Sequence, residues 1–218
     1  MTDKARSLIK DHYTFEDLIG IMEFLRSPDG CPWDRAQTHE SIRKNMIEEC
    51  YEAVEGIDRN DPGLLCEELG DLLLQVVFHA RISEEKGEFS ISDAVDEICK
   101  KMIRRHPHVF SDVPASTPEG ALDRWEEIKK AEKSDDTPVK AMDRVARTLP
   151  SLMRTQKLLK KAEKAGVTGC GQAASREELA ARYMKLCADA NASNVDLEEL
   201  AYASNEDYIA SFRESLKG

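Results

Sequence analysis

Apolar positions recur at three- and four-residue intervals through most of the chain, the period of helices that bury one side. Phe15, Leu18, Ile21, Met22 and Leu25 share one face, and Thr14 with Asp17 three residues on can cap the helix that carries them. Ser27-Pro-Asp-Gly-Cys-Pro32 reads as a turn. Thr38 can cap a second helix running to about Asn60, where Asn60-Asp-Pro-Gly63 breaks it. A third helix is predicted from about Leu64 to Lys86, ending before Gly87. Ser90 with Asp93 makes a capping box for a fourth, from about Ile91 to Arg105. His106-Pro107-His108 stops that helix, because the residue before proline avoids the αR region. Thr117-Pro118 opens a fifth, through about Lys133, with proline in the first turn. Helix formers dominate and β-branched runs are rare, so the predicted fold class is all-α, a helical bundle.

The character changes near residue 135. Ser134-Asp-Asp-Thr-Pro138 reads as a linker, a basic helix follows around Ser151–Ala165, and Gly166-Val-Thr-Gly-Cys-Gly171 breaks it. Two or three shorter helices finish the chain. The predicted organisation is a main helical domain over 10–134, a linker over 135–150 and a smaller C-terminal helical region over 151–218. The two halves share a faint echo. Cys50-Tyr-Glu-Ala53 resembles Cys187-Ala-Asp-Ala190, and Glu67-Glu-Leu-Gly-Asp71 resembles Glu198-Glu-Leu-Ala-Tyr202, so Leu186 stands opposite Glu49 and Tyr202 opposite Asp71. The second half therefore reads as a shortened repeat without its acids, its helix around Leu152–Leu159 packing on the N-terminal bundle or on a partner subunit.

Bulk composition narrows the function. The net charge of −11 argues against a nucleic-acid or anionic-membrane binder, which would carry a basic footprint. It leaves room for a phosphorylated small molecule held by metal ions and local cations. The six cysteines (Cys31, Cys50, Cys66, Cys99, Cys170 and Cys187) are scattered without a C-x-x-C. Cys50, Cys66 and Cys99 fall inside helical patterns as small hydrophobes, a usage that suits a reducing cytosol. No signal-peptide core and no membrane-length apolar run are visible, so a soluble cytoplasmic protein is expected.

The chemistry concentrates in two acidic pairs, Glu49-x-x-Glu52 and Glu68-x-x-Asp71, on consecutive helices. Residues three apart share a helix face, so each pair can offer two carboxylates to one point. On the third helix Leu65, Leu69, Leu72, Leu73, Val76, Val77 and Ala80 form a broad apolar arc, with Glu68, Asp71, Gln75 and His79 along its edge. Gly70 costs about 1 kcal/mol relative to Ala in mid-helix, which suggests that another backbone passes close. On the second helix Ile47, Cys50, Tyr51, Val54 and Ile57 form the apolar face, while Glu48, Glu49, Glu52 and Glu55 share the remainder. Periodicity leaves open which of those four faces a metal, and a plain solvated acidic face is the competing reading. Converging carboxylates need compensation, and all-oxygen ligation favours Mg²⁺, with Mn²⁺ as the alternative, over iron or zinc. His79 lies about 16 Å along the helix from Glu68, too far to share its ion, and reads as a core or interface histidine.

On the fourth helix Ala94, Val95, Ile98, Met102 and Ile103 make an apolar stripe. Lys101 and Arg105 lie at its edge, and Lys100 and Arg104 point outward. The edge pair can hold a polyphosphate, or the whole run can simply complement the helix dipole. Trp125 and Lys129, four apart on the fifth helix, can stack on a base and reach a phosphate; an anchoring core tryptophan is the alternative.

Taken together, Cys31-Pro-Trp-Asp34, Glu48-Glu49-x-x-Glu52, Glu68-Leu-Gly-Asp71, Arg104-Arg-His-Pro-His-Val-Phe110 and Trp125-Glu-x-Ile-Lys129 resemble the MazG-type nucleoside triphosphate pyrophosphohydrolases over about Tyr13 to Lys133. Leu149-Pro-Ser-Leu-Met-Arg-Thr-Gln-Lys157 resembles the segment leading into the second catalytic repeat of longer members. The resemblance implies an all-α NTP pyrophosphatase fold, a homodimer or dimer of dimers with sites between subunits, and Mg²⁺-dependent cleavage of NTPs or dNTPs to monophosphate and pyrophosphate in nucleotide-pool housekeeping. Carried over, Glu49, Glu52, Glu68 and Asp71 become metal ligands, and Lys101, Arg105 and Trp125 become nucleotide contacts. Glu48, beside a ligand on the same acidic arc, is a candidate general base. Two alternatives stand beside this reading: a catalytically weak scaffold for dimerisation or partner binding, and a pyrophosphatase restricted to dUTP or modified nucleotides.

Overall fold

In the computed structural model the described residues are 2–111, 117–132, 137–167 and 171–216. All regular structure among them is helical, in twelve segments. These are α1 (Asp3–Ser7), α2 (Phe15–Leu25), α3 (Pro32–Ala36), α4 (His39–Asp58), α5 (Pro62–Glu85), α6 (Ile91–Arg105), α7 (Pro107–Phe110), α8 (Pro118–Ala131), α9 (Pro138–Asp143), α10 (Ser151–Lys164), α11 (Arg176–Ala192) and α12 (Leu197–Ser215). No helix among these residues is long and apolar enough to cross a membrane.

The helix starts follow their caps. Thr14, Thr38 and Ser90 each close a reciprocal capping box, with Asp17, Ser41 and Asp93 respectively. The helix α5 begins at Pro62 rather than Leu64, because the Asp61 side chain accepts from the backbone N–H groups of Gly63 and Leu64. Proline in the first turn also opens α3, α7 and α9, three short helices in stretches expected as turn, stop and linker. The C-terminal helices α11 and α12, expected to be short, run for 17 and 19 residues.

The chain divides into two compact units, Met1–Trp125 and Glu126–Gly218. The boundary expected near residue 135, much of the expected linker's first part and the glycine-rich break at 168–170, with Cys170, lie outside the described residues. In the first unit, α4 and α5 form an antiparallel hairpin, and α2 packs on α5 around a core of Met22, Ile42, Val77, Phe78 and Ile82. The second unit has its own core of Met142, Val145, Leu158, Ala162, Ile209 and Phe212, contributed by α9, the turn after it, α10 and α12. The basic helix α10 thus buries Leu158 within its own unit and leaves Leu152 and Leu159 exposed.

One arginine organises the N-terminal unit. Arg26, 8% exposed, donates from Nε and Nη2 to the Glu85 carboxylate at 2.8–3.2 Å and from Nη1 to the carbonyls of Asp34 and Gln37. Its guanidinium lies 5.3 Å from the centre of the Phe78 ring. These bonds hold the Glu85 carboxyl below the usual carboxylate range.

The N-terminus of α4 is joined to α5 by a histidine pair. His39 and His79 stack in parallel with ring centroids 5.1 Å apart and Nδ1 atoms 2.7 Å apart, and the Ser83 hydroxyl lies 3.3 Å from His39 Nε2. His79 is therefore the interface histidine its position suggested. Burial, and secondarily the charge of His39, push its pKa below the ordinary value. A single proton can sit between the two Nδ1 atoms, so full protonation breaks the contact. A histidine with a lowered folded pKa binds fewer protons folded than unfolded, so its contribution is present above the unfolded value near 6.5 and lost as pH falls. Thermal melts should accordingly show a lower midpoint at pH 5.5 than at pH 7.5, and His79→Gln should flatten that difference; an unchanged slope in the variant would refute the assignment.

Candidate metal centre

The acid site is built by the α4–α5 hairpin. Asn60, in the left-handed region with φ 52°, turns the chain between the two helices. Glu49 and Asp71 each stand eleven residues from Asn60, and Glu52 and Glu68 each stand eight. At 1.5 Å per residue, the first pair lies about 16 Å and the second about 12 Å from the turn, so antiparallel arms bring them level. One ligand oxygen from each of Glu49, Glu68 and Asp71 lies within 4.8 Å of the others, and this is the one such convergence of three or more His, Cys, Asp or Glu residues among the described residues. Glu52, exposed like Asp71, adjoins the group within hydrogen-bond reach of the Glu49 carboxyl.

Partial burial is the main reason the Glu49 and Glu68 carboxyls are pushed above their ordinary range. For Glu49 the contact with Glu52 follows, then the charges of Asp71, Glu52 and Glu68; for Glu68 the charges of Glu52, Glu67, Asp71 and Glu55 follow. The group is short of positive charge, and its donors are all oxygen.

A close helix approach makes this convergence. A Cβ on Gly56 would sit 2.9 Å from both the Cα and the N of Leu65, so only glycine lets α4 lie this near α5. Ala53, one turn earlier, is buried on the same side. The expectation that Gly70 serves a close approach is corrected, since nothing lies within 4 Å of the position of its missing Cβ.

The packed face of α4 also differs from the apolar face expected. Ile42, Ala53 and Gly56 are the buried residues of α4, whereas Ile47, Cys50, Tyr51, Val54 and Ile57 are exposed, Tyr51 at 61%. Small side chains win the inner face because they permit the close approach, and Glu49 is drawn in with them. On α5, Leu69, Leu73 and Val76 are exposed, as are Val95, Ile98, Met102 and Ile103 on α6. Cys50, Cys66 and Cys99, expected as apolar fillers, are free and exposed too.

The basic residues separate as their helical phase predicts. Lys101 and Arg105 are half-buried on α6, while Lys100 is exposed and pairs with Asp96. The Arg105 guanidinium lies 5.2 Å from the centre of the half-buried Trp125 ring, a contact the residue spacing did not reveal. Lys129 falls in the second unit and pairs with Glu126 at 3.2 Å. Glu48 is exposed on α4 beside Glu49.

A paired-acid helical hairpin flanked by a basic helix defines the class, and comparison with known proteins supplies the family. The model of the MazG nucleotide pyrophosphohydrolase domain matches residues 37–110, which carry all the acids and the α6 cations. The nucleoside triphosphate pyrophosphohydrolase/pyrophosphatase MazG of Thermotoga maritima is 55% identical over 119 residues, 55% of this chain and 45% of that protein. The nucleoside triphosphate pyrophosphohydrolase of Escherichia coli K12 is 45% identical over 150 residues, 68% of this chain and 57% of that one. An uncharacterised 26.1 kDa protein from Streptomyces cacaoi is 35% identical over 203 residues, 90% of this chain and 80% of its own length. Residues 37–110 thus match the MazG nucleotide pyrophosphohydrolase domain, and the chain spans about half the length of the two relatives named as pyrophosphohydrolases.

Gly56→Ala should lower the melting temperature even though alanine is the better helix former by about 1 kcal/mol, since overpacking at a backbone contact costs about 1–3 kcal/mol. Gly56→Leu should cost more. A neutral or stabilising Gly56→Ala would show that the helices can part without penalty.

Proposed function

We propose that the chain hydrolyses nucleoside triphosphates to the monophosphate and pyrophosphate, with Mg²⁺ held by Glu49, Glu52, Glu68 and Asp71. The convergence of Glu49, Glu68 and Asp71 within the family-matched segment carries this reading. The donor set fits: carboxylate oxygens alone suit a hard divalent cation, and their mutual repulsion gives them reason to take one. Bound there, the ion supplies Lewis-acid neutralisation of the triphosphate and acidifies water.

The remaining steps fall to side chains of this chain. Lys101 provides a point charge and Arg105 a bidentate fork for phosphate oxygens. Trp125 is the candidate to stack on the base, and the Arg105 guanidinium lies over its ring in the arrangement seen here. Glu48 is free to take the proton of the water that adds across the α–β anhydride, which leaves pyrophosphate as the other product. Lys129, one turn beyond Trp125 on α8 and paired with Glu126 here, is the remaining phosphate candidate of this reading.

The same reading includes a homodimer, itself the unit from which a dimer of dimers would be built. Ile47, Tyr51, Val54 and Ile57 on α4, with Leu69, Leu73 and Val76 on α5, leave an apolar face on the hairpin that bears the acids. Each such side chain gains about 1.5–3 kcal/mol on full burial, and a second copy of the same hairpin offers matching residues. Sedimentation should show a dimer, and Tyr51→Glu should shift it toward monomer; a monomeric wild type at micromolar concentration would refute this.

The decisive assay is pyrophosphate release from a nucleotide panel with and without Mg²⁺. Glu68→Ala and Asp71→Ala should abolish turnover with the fold intact, and Lys101→Ala should weaken substrate binding by about 1.5–3 kcal/mol while Lys100→Ala costs far less. Mg²⁺ should raise the wild-type melting temperature and not that of Glu68→Ala. Stepwise orthophosphate release, or near-normal turnover in either acid variant, would overturn the assignment.

A further inference from the structure

The second unit contains a buried cation that its own side chains do not satisfy. Arg154 on α10 is 1% exposed, the largest of the fully buried side chains. Its Nη2 lies 2.7 Å from Glu206 Oε1 on α12, and its guanidinium sits 5.7 Å from the centre of the Tyr202 ring. Yet its Nε and Nη1 are buried with no hydrogen-bond partner, and Glu206 Oε1 accepts no well-aligned hydrogen bond despite the short contact. A buried guanidinium with two unpartnered nitrogens is costly to keep unless something else accepts from them.

The comparison with Arg26 sharpens the point. Both arginines are buried, face a glutamate on a long helix and lie over an aromatic ring. Arg26 engages all three of its nitrogens, two with Glu85 and the third with the carbonyls of Asp34 and Gln37. Arg154 has only Glu206.

Arg154 also lines a cavity of about 240 Å³ between α9, α10 and α12. Arg147 and Arg213 also line it, with Asp143, Glu206 and, on the apolar wall, Ile209. Arg147 donates to Glu206 Oε2 at 2.7 Å and Arg213 to Asp143, so the carboxylates offset two of the three guanidinium charges. One positive charge remains, in a chain whose net charge is −11. The volume is below the roughly 300–1,000 Å³ of sites for drug-sized ligands.

We propose that this cavity is a binding site for a small oxyanion, a phosphate or carboxylate group, toward which the Arg154 guanidinium turns its unpartnered Nε and Nη1. Arg147 and Arg213, whose side chains are 70% and 46% exposed, stand at the mouth and can swing from their carboxylates to the anion. The site lies wholly in the second unit and is independent of the acid cluster.

Calorimetric titration of the full chain in EDTA with inorganic phosphate, pyrophosphate and acetate tests this. Saturable binding is expected for at least one anion, and the identity of that anion separates the phosphate from the carboxylate source. Arg154→Met should weaken it about tenfold or more, as loss of charged hydrogen bonds requires. Arg147→Gln, at a surface position, should weaken it several-fold with helicity unchanged, and it carries the test if Arg154→Met does not fold. Lys100→Ala, on the outward face of α6, should leave it intact. Absence of saturable binding to all three anions, retention of wild-type affinity in Arg147→Gln, or loss in Lys100→Ala would overturn the proposal.

Discussion

The close approach of α4 to α5 at Gly56 is the constraint on which the first unit depends. Because no side chain stands between Gly56 and the Leu65 backbone, the two helices run near enough for acids equidistant from the Asn60 turn to meet. The same contact decides which face of α4 turns inward. A helix that must lie close to its neighbour presents its smallest residues, and its larger apolar residues are left for another surface. Acid convergence and apolar exposure are thus two results of one packing choice.

That choice sets opposing electrostatic and hydrophobic demands on the hairpin. Drawing Glu49 and Glu68 out of water beside Asp71 raises their affinity for protons, a cost that a divalent ion would remove. Leaving Tyr51 and Ile57 outside forfeits burial that a second chain would restore. Under the proposed function both are settled together by the loaded assembly, so the isolated, metal-free chain is its least comfortable form.

Much of this was legible in the residues, and the exceptions have physical causes. Capping boxes and turn residues located α2, α4, α5, α6 and α8 because cap chemistry is local. The short helices were missed because proline reads both as a stop and as a first-turn residue, and context decides which. The paired acids were visible from spacing alone, since i, i+3 places two carboxylates on one face. Which side of α4 is packed was not, because the apolar count pointed to Ile47 and Tyr51 while the contact is governed by Ala53 and Gly56. Arg26 and Arg154 were invisible for a related reason: their partners, Glu85 and Glu206, lie more than fifty residues away. The echo between the halves put Tyr202 where Asp71 would stand, and in the structure that ring carries the Arg154 guanidinium.

Arg26 also bears on how the N-terminal unit opens. One side chain ties the end of α2, the carbonyls of the α3 segment and the last turn of α5. None of these three pieces can fray without stranding a buried charge, so local breathing there is as costly as opening them all. Amide protons of α2 and of the C-terminal part of α5 should therefore exchange with solvent together, as one cooperative foldon, rather than in order of their distance from a helix end.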